Sequence, residues 1–362
     1  MSDPTAIAYF ITPHGFGHAS RAAAVMAAVQ ERAPHVRFEL FTTCPKQIFN
    51  QSLMASFGYH AADVDIGVVQ TSPLKEDLPA TCRALDGWLP FSRDAIEQTA
   101  QHLKRMRCAL VVCDISPFGI EAAAEAGIPS LLVESFTWDW IYNRYATDAP
   151  CLLPHSSTMQ AIFARVGYRI QTQPLCQPVD CDLSIGPISR KSRTGRRQTR
   201  KALDIPDDAT MVLISMGGVR DRFEFLDRIP YRSNLFFVIP STDGLVAPQQ
   251  NVILLPTHSP FFHPDLSLAA DLVIGKVGYS TLSEIHQAGT PFGYIPRPES
   301  PESDPLIDFI KNHMTARPIS ARAYSSGRWI DQLPQLLSLP RSQPAKRNGA
   351  DQAAEFILDL IR

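Results

Sequence analysis

Two side chains, Glu284 and His18, each follow a glycine-punctuated turn and are of a type that does chemistry. Glu284 ends the run Gly275-Lys276-Val277-Gly278-Tyr279-Ser280-Thr281-Leu282-Ser283-Glu284. The apolar triplet Leu272 to Ile274 ahead of it reads as a short buried strand. The turn then opens a helix that Ser280 or Thr281 can cap. Its first amide N–H groups and the positive end of its dipole form an anion site, approached by backbone at Gly278 to Thr281. A carboxylate one turn further in cannot bind that anion, but it can accept two hydroxyl hydrogen bonds from an adjoining ribose. Phosphate beside ribose implies a nucleotide. Thr281-Leu282-Ser283-Glu284 also fits a capping box, in which Glu284 only folds back on its own helix end.

His18 closes the loop Thr12-Pro13-His14-Gly15-Phe16-Gly17-His18, directly after the apolar strand Ala6 to Thr12. An imidazole there can take a proton from a hydroxyl near neutral pH, with His14 the second choice. His18 equally suits a packing role at a helix start. Asp114 ends the strand Ala109 to Cys113 and can orient a histidine, or simply form a turn before Ser116-Pro117. Glu134 and Asp139 lie on the same rim. Trp138 and Trp140 suit a core or interface as well as a sugar-stacking platform. The first loop superficially matches a dinucleotide turn, yet the next strand ends in Thr42-Thr43 instead of the acidic residue that a ribose diol requires. The chain has no GxxxxGK[ST], HExxH or GxSxG motif, and His258, His263 and His286 lack metal-ligand spacing.

These residues need a framework that aligns them. Strands at 6–12, 36–42, 109–113 and 130–134 alternate with helices at 20–32, 45–57, 92–105 and 118–126. Strands at 210–215, 235–240, 252–255 and 272–274 repeat the pattern after a join within 174–200. The expectation is an α/β chain of two doubly wound parallel sheets, with domains at 1–175 and 176–340. A last helix within 345–362 is expected to pack back on the first domain. Ligands of such sheets bind beyond the carboxyl ends of the strands.

Composition is consistent with this. The 362 residues are 45% hydrophobic and carry a net charge of −2, which gives no overall attraction to nucleic acid or anionic membrane. Neither a signal peptide nor a membrane-length apolar run is evident, so a cytoplasmic protein is expected. Seven cysteines, odd in number and without CxxC spacing, suggest reduced thiols. The basic run Arg190 to Lys201 lacks aromatic residues and reads as a solvated helix face, with an anionic acceptor or lipid headgroups as the alternative contact.

Three motifs in order, His14-Gly15-Phe16-Gly17-His18, Ser215-Met216-Gly217-Gly218 and Gly278 to Pro291, resemble those of two-domain sugar-nucleotide glycosyltransferases of the GT-B fold, family 28 in particular. The chain is still more similar to the glycosyltransferase-like N-terminal region of plant arabinokinases. That likeness rests on His14 to Arg21, Cys113-Asp114-Ile115-Ser116-Pro117, Glu125 to Ile128, Phe136 to Tyr142 and Gly275 to Glu284. The sugar-kinase half of those proteins has no counterpart here, so phosphorylation is not implied. The resemblance implies a hexosyl- or N-acetylhexosaminyl-transferase using a UDP-sugar donor and a hydroxyl acceptor, without a metal or other cofactor. In it Gly217, Gly218, Arg220, Lys276, Gly278, Tyr279, Ser280 and Thr281 hold the diphosphate, and Glu284 holds the ribose. Gly15, Gly17, Glu134, Trp138 and Asp139 face the acceptor, and His18 is the general base. The usual Asp-Gln that reads the donor sugar is replaced by a segment containing Asp304, which leaves the sugar open. A sugar-nucleotide epimerase or hydrolase, or a silent nucleotide-sugar sensor, would use the same donor features.

Overall fold

The structure, a computed structural model, describes residues 5–362 apart from 73–74, 218–222, 244, 246 and 258. Gly218, Arg220 and His258 therefore lie outside the described residues. The chain divides into two compact units, Met1–Ser189 with Arg347–Arg362, and Arg190–Lys346.

In chain order the first unit runs β1 (Ala6–Ile11), α1 (Phe16–Arg32), β2 (Arg37–Phe41), α2 (Lys46–Asn50), β3 (Gly58–His60), a hairpin of β4 (Gln70–Ser72) and β5 (Lys75–Glu76), α3 (Leu78–Trp88) and α4 (Arg93–Arg105). It continues with β6 (Cys108–Asp114), α5 (Pro117–Ala126), β7 (Ser130–Glu134), α6 (Trp138–Tyr145), α7 (Leu152–Phe163), β8 (Tyr168–Thr172) and β9 (Leu183–Ile185). Seven strands form one parallel sheet in the order β3-β2-β1-β6-β7-β8-β9. All six residues of β1 are buried, as expected of a central strand with helices on both faces.

The second unit runs α8 (Arg196–Ala202), β10 (Thr210–Ser215), β11 (Leu235–Ile239), β12 (Val252–Leu254), α9 (His263–Ala269), β13 (Leu272–Lys276), α10 (Tyr279–Ala288), β14 (Phe292–Ile295), α11 (Ser303–His313), β15 (Ala316–Pro318), α12 (Ala321–Ser325) and α13 (Leu333–Leu337). Its parallel sheet has the order β12-β11-β10-β13-β14-β15. The architecture is that of two Rossmann-like sheets, the arrangement of the GT-B class. Helix α14 (Gly349–Leu360) then returns to the first unit. It buries Ala350, Ala353, Ala354 and Ile357 in the core that also holds Ala19, Ala22, Ala23 and Met26 of α1. Small residues on both helices permit that close approach.

The structure corrects several local expectations. Helix α1 begins at Phe16, not Ser20, because Gly15 takes the left-handed φ of 73° that turns the chain into the helix. His18 therefore stands in the first helical turn. Helix α2 stops at Asn50, because the Ser52 hydroxyl takes the Ile48 carbonyl and the Ser52 amide bonds Phe49 instead. Cys82 and Cys151 form a disulfide, contrary to the expectation of reduced thiols throughout. Sequence spacing hides this pair, since 69 residues separate two cysteines whose Cα atoms lie 6.1 Å apart. The basic run is a solvated face only in part: Lys191, Arg193, Arg197 and Lys201 are exposed, but others turn inward. Arg200 is buried and Arg196 half-buried, both bound to Asp271, which anchors α8 to the start of β13.

Candidate functional site

In the first unit the candidate residues gather at the carboxyl ends of β1, β6 and β7. Asp114, the last residue of β6, is wholly buried. Its Oδ1 lies 2.6 Å from His18 Nδ1. Arg21, one turn beyond His18 on α1, clamps the same carboxylate, donating from Nε to Oδ2 at 2.7 Å and from Nη2 to Oδ1 at 2.6 Å. The fork geometry and charge make this the strong kind of hydrogen bond. Burial opposes ionisation of Asp114, but Arg21 and then His18 outweigh it and hold the carboxyl below its ordinary range. Arg21 also donates to Ser135 Oγ at 3.2 Å, which joins the end of β7 to the cluster. Sequence reasoning placed Arg21 in a motif without a role; its helical spacing of three from His18 was the available signal.

Aromatic rings extend the cluster. The His18 ring meets Phe136 edge-on at 5.9 Å, Phe136 meets Trp138 at 5.5 Å, and Trp138 meets His14 at 5.3 Å. Trp138 is 1% exposed, so its indole packs in the core and presents no open stacking face. Its Nε1–H donates to Asp65 Oδ2 at 2.5 Å. Asp65 escaped the sequence reading. Burial, only partly offset by bonds from Thr12, Trp138, Gly67 and Ile66, pushes its carboxyl up to about 7. Gly67, at φ 65°, lies against His14, where a Cβ would come within 2.9 Å of the His14 Cβ. The segment around Asp65 thus shapes the wall beside His14. Glu134 accepts from Gln171 Nε2 at 2.8 Å, and burial, though opposed by Gln171, raises its carboxyl. Asp139 stands in the first turn of α6, with a buried Oδ1 that has no hydrogen-bond partner among the described residues.

In the second unit the candidates cluster where β10 and β13 end. Gly275 pairs with Ser215, and a Cβ on it would come within 2.3 Å of the Ser215 carbonyl oxygen. Gly217 adopts φ 76° with Lys276 over it; a Cβ there would meet Lys276 Cε at 3.2 Å. Gly278 is the N-cap of α10 in extended backbone, so Tyr279, Ser280 and Thr281 form the first turn and neither Ser280 nor Thr281 caps it.

The capping box is absent. Glu284 is 4% exposed, and its partners come from elsewhere. Arg190 reaches Oε1 from Nε at 2.9 Å and from Nη2 at 2.8 Å. His263 Nδ1 lies 2.6 Å from Oε2. Burial pushes the Glu284 carboxyl up, but Arg190 and His263 overcome it and hold it below its ordinary range. The other side of the His263 ring, Nε2, is 2.8 Å from Ser215 Oγ. Arg190, read from sequence as part of a solvated face, is instead an inward-facing cation stacked on Phe262 at 4.8 Å. Asp304 sits exposed in the first turn of α11.

Among the described residues no group of three or more His, Cys, Asp or Glu is arranged to hold a metal ion. No helix of the described residues is long and apolar enough to cross a membrane.

No protein-family model matches the chain. The chain is 27% identical over 357 residues to an L-arabinokinase of Arabidopsis thaliana, covering 97% of this chain and 34% of that protein. It thus spans about a third of the length of that relative. It is 22% identical over 288 residues to an uncharacterized glycosyltransferase of Methanopyrus kandleri, covering 74% of this chain and 80% of the relative. Among solved structures, the glycotransferase of kitacinnamycin superposes with a TM-score of 0.65 at 16% identity, over 99% of this chain and 100% of that one. At such identity the likeness establishes the fold, which is that of GT-B glycosyltransferases.

Proposed function

We propose that the chain transfers a glycosyl group, hexosyl or N-acetylhexosaminyl, from a nucleoside-diphosphate sugar, with UDP the favoured carrier, to a hydroxyl acceptor. The observation that carries this reading is the His18–Asp114 bond at the carboxyl end of the first sheet. With Nδ1–H donated to Asp114, the imidazole lone pair lies on Nε2, ready for the acceptor hydroxyl. The acceptor oxygen forms the new bond to the anomeric carbon as His18 takes its proton. The old glycosidic bond breaks, and the nucleoside diphosphate leaves with its electron pair.

The second unit supports the donor half of the reading. The N-terminal end of α10 and the Lys276 ammonium suit the developing diphosphate charge. Glu284 Oε2, with His263 as its partner, retains acceptor capacity for a ribose hydroxyl, while Arg190 holds Oε1. Glu134, Asp139 and the buried wall around Asp65 line the acceptor side.

A panel of nucleotide sugars, with and without acceptor extracts, tests the assignment through release of nucleoside diphosphate. Acceptor-dependent release is expected. Release that ignores acceptor would make the chain a hydrolase or epimerase, and binding without turnover would make it a sensor.

A further inference from the structure

His263 does not belong to any of the motifs that point to a nucleotide, yet it touches two of them. Its ring spans from Ser215 Oγ, at the end of β10, to Glu284 Oε2 on α10, at 2.8 and 2.6 Å. Ser215 is 3% exposed and Glu284 4%, while the His263 side chain is 23% exposed. Two buried polar groups on neighbouring elements are thus held by one imidazole whose nitrogens are both used. Arg190 fixes the other carboxylate oxygen. Without His263 the carboxylate would have one anchor and be able to swing about it.

We propose that His263 is a positioning residue for ribose recognition, resting on the donor-site reading given above. It sets the plane of the Glu284 carboxylate so that Oε2, which Arg190 leaves to the ring alone, offers its remaining lone pair to a ribose hydroxyl, and it locks that plane to the end of β10. The ligand class this selects is a ribonucleoside diphosphate, in preference to its 2′-deoxy counterpart. Contacts to the diphosphate do not depend on that plane, so loss of His263 is expected to erase the preference more than the binding.

The test is calorimetric titration of the full chain with UDP, GDP and ADP and with their 2′-deoxy forms. The wild type is expected to prefer one ribonucleotide over its deoxy form by roughly 10- to 100-fold, the scale of a hydrogen bond to a charged group. His263→Ala should bring the two within about twofold by the same loss. His263→Gln, which can donate to Glu284 and accept from Ser215, should restore much of the ratio. Ser215→Ala, a milder change, should lower the ratio part-way and serves if His263→Ala does not fold. A purely structural role would lower the melting temperature and weaken both nucleotides alike, with the ratio intact, and that result overturns the proposal. If the wild type binds none of the ribonucleotides, the donor-site reading itself falls and this inference falls with it.

Discussion

Asp65 is a carboxylic acid whose burial opposes its ionisation. Its carboxyl, raised to about 7 by burial, is more readily protonated folded than unfolded. The sign follows from linkage: the neutral group contributes stability below the ordinary carboxylate range, and that contribution is lost as pH rises from about 4 through about 7. Asp65→Asn keeps an acceptor for the Trp138 indole and removes the titration. Urea unfolding of wild type should therefore lose a few kcal/mol between pH 4 and pH 8 relative to Asp65→Asn, and parallel profiles would contradict the assignment. Asp114 behaves oppositely, because Arg21 and His18 depress it: its contribution is present above the ordinary range and lost in acid, as pH falls through its lowered value. Arg21→Met would leave a buried carboxylate with one partner instead of two. A stability loss of about 3 kcal/mol or more is expected, the scale for breaking a buried pair, read by the same unfolding titration.

At the scale of elements, the two strand–glycine–helix units, β1 into α1 and β13 into α10, were legible because each is written in one continuous stretch. An apolar run, a glycine at the turn and a polar helix start need no information from elsewhere in the chain. Apart from His18 with Asp114, what the sequence concealed is the pairing that topology creates. Arg21 meets Asp114 across 93 residues, Asp65 meets Trp138 across 73, and Arg190 meets Glu284 across 94. Arg190 looked solvated because a charge run has no periodicity that marks one member as buried. Strands β3, β8 and β15 were missed since they are short and carry polar residues such as Arg169, Gln171 and Arg317. The close β10–β13 contact makes an element-level prediction. Gly275→Ala would drive a Cβ into the Ser215 carbonyl, and a destabilisation of about 2 kcal/mol or more is expected in denaturant unfolding. The disulfide makes another: unreduced, denatured protein should titrate five thiols and not seven, because Cys82 and Cys151 are joined.

For the whole molecule, the chain's end completes its beginning. Helix α14 packs on α1, with Arg32 bonded to Asp351 at 3.0 Å, so the helix that carries His18 depends on residues more than 300 positions away. Ile357→Ala should cost about 2–4 kcal/mol and speed amide exchange along α1, whereas unchanged exchange there would refute the coupling. Each half of the proposed reaction then has its own sheet: the His18–Asp114 pair on one, and on the other the helix proposed to hold the donor. The claim that joins them is sugar transfer with His18 as the base. Its most direct test is the rate of acceptor-dependent nucleoside diphosphate release by His18→Ala at saturating donor. A fall of about 100-fold or more, with donor affinity unchanged, is predicted. A rate close to wild type would contradict it.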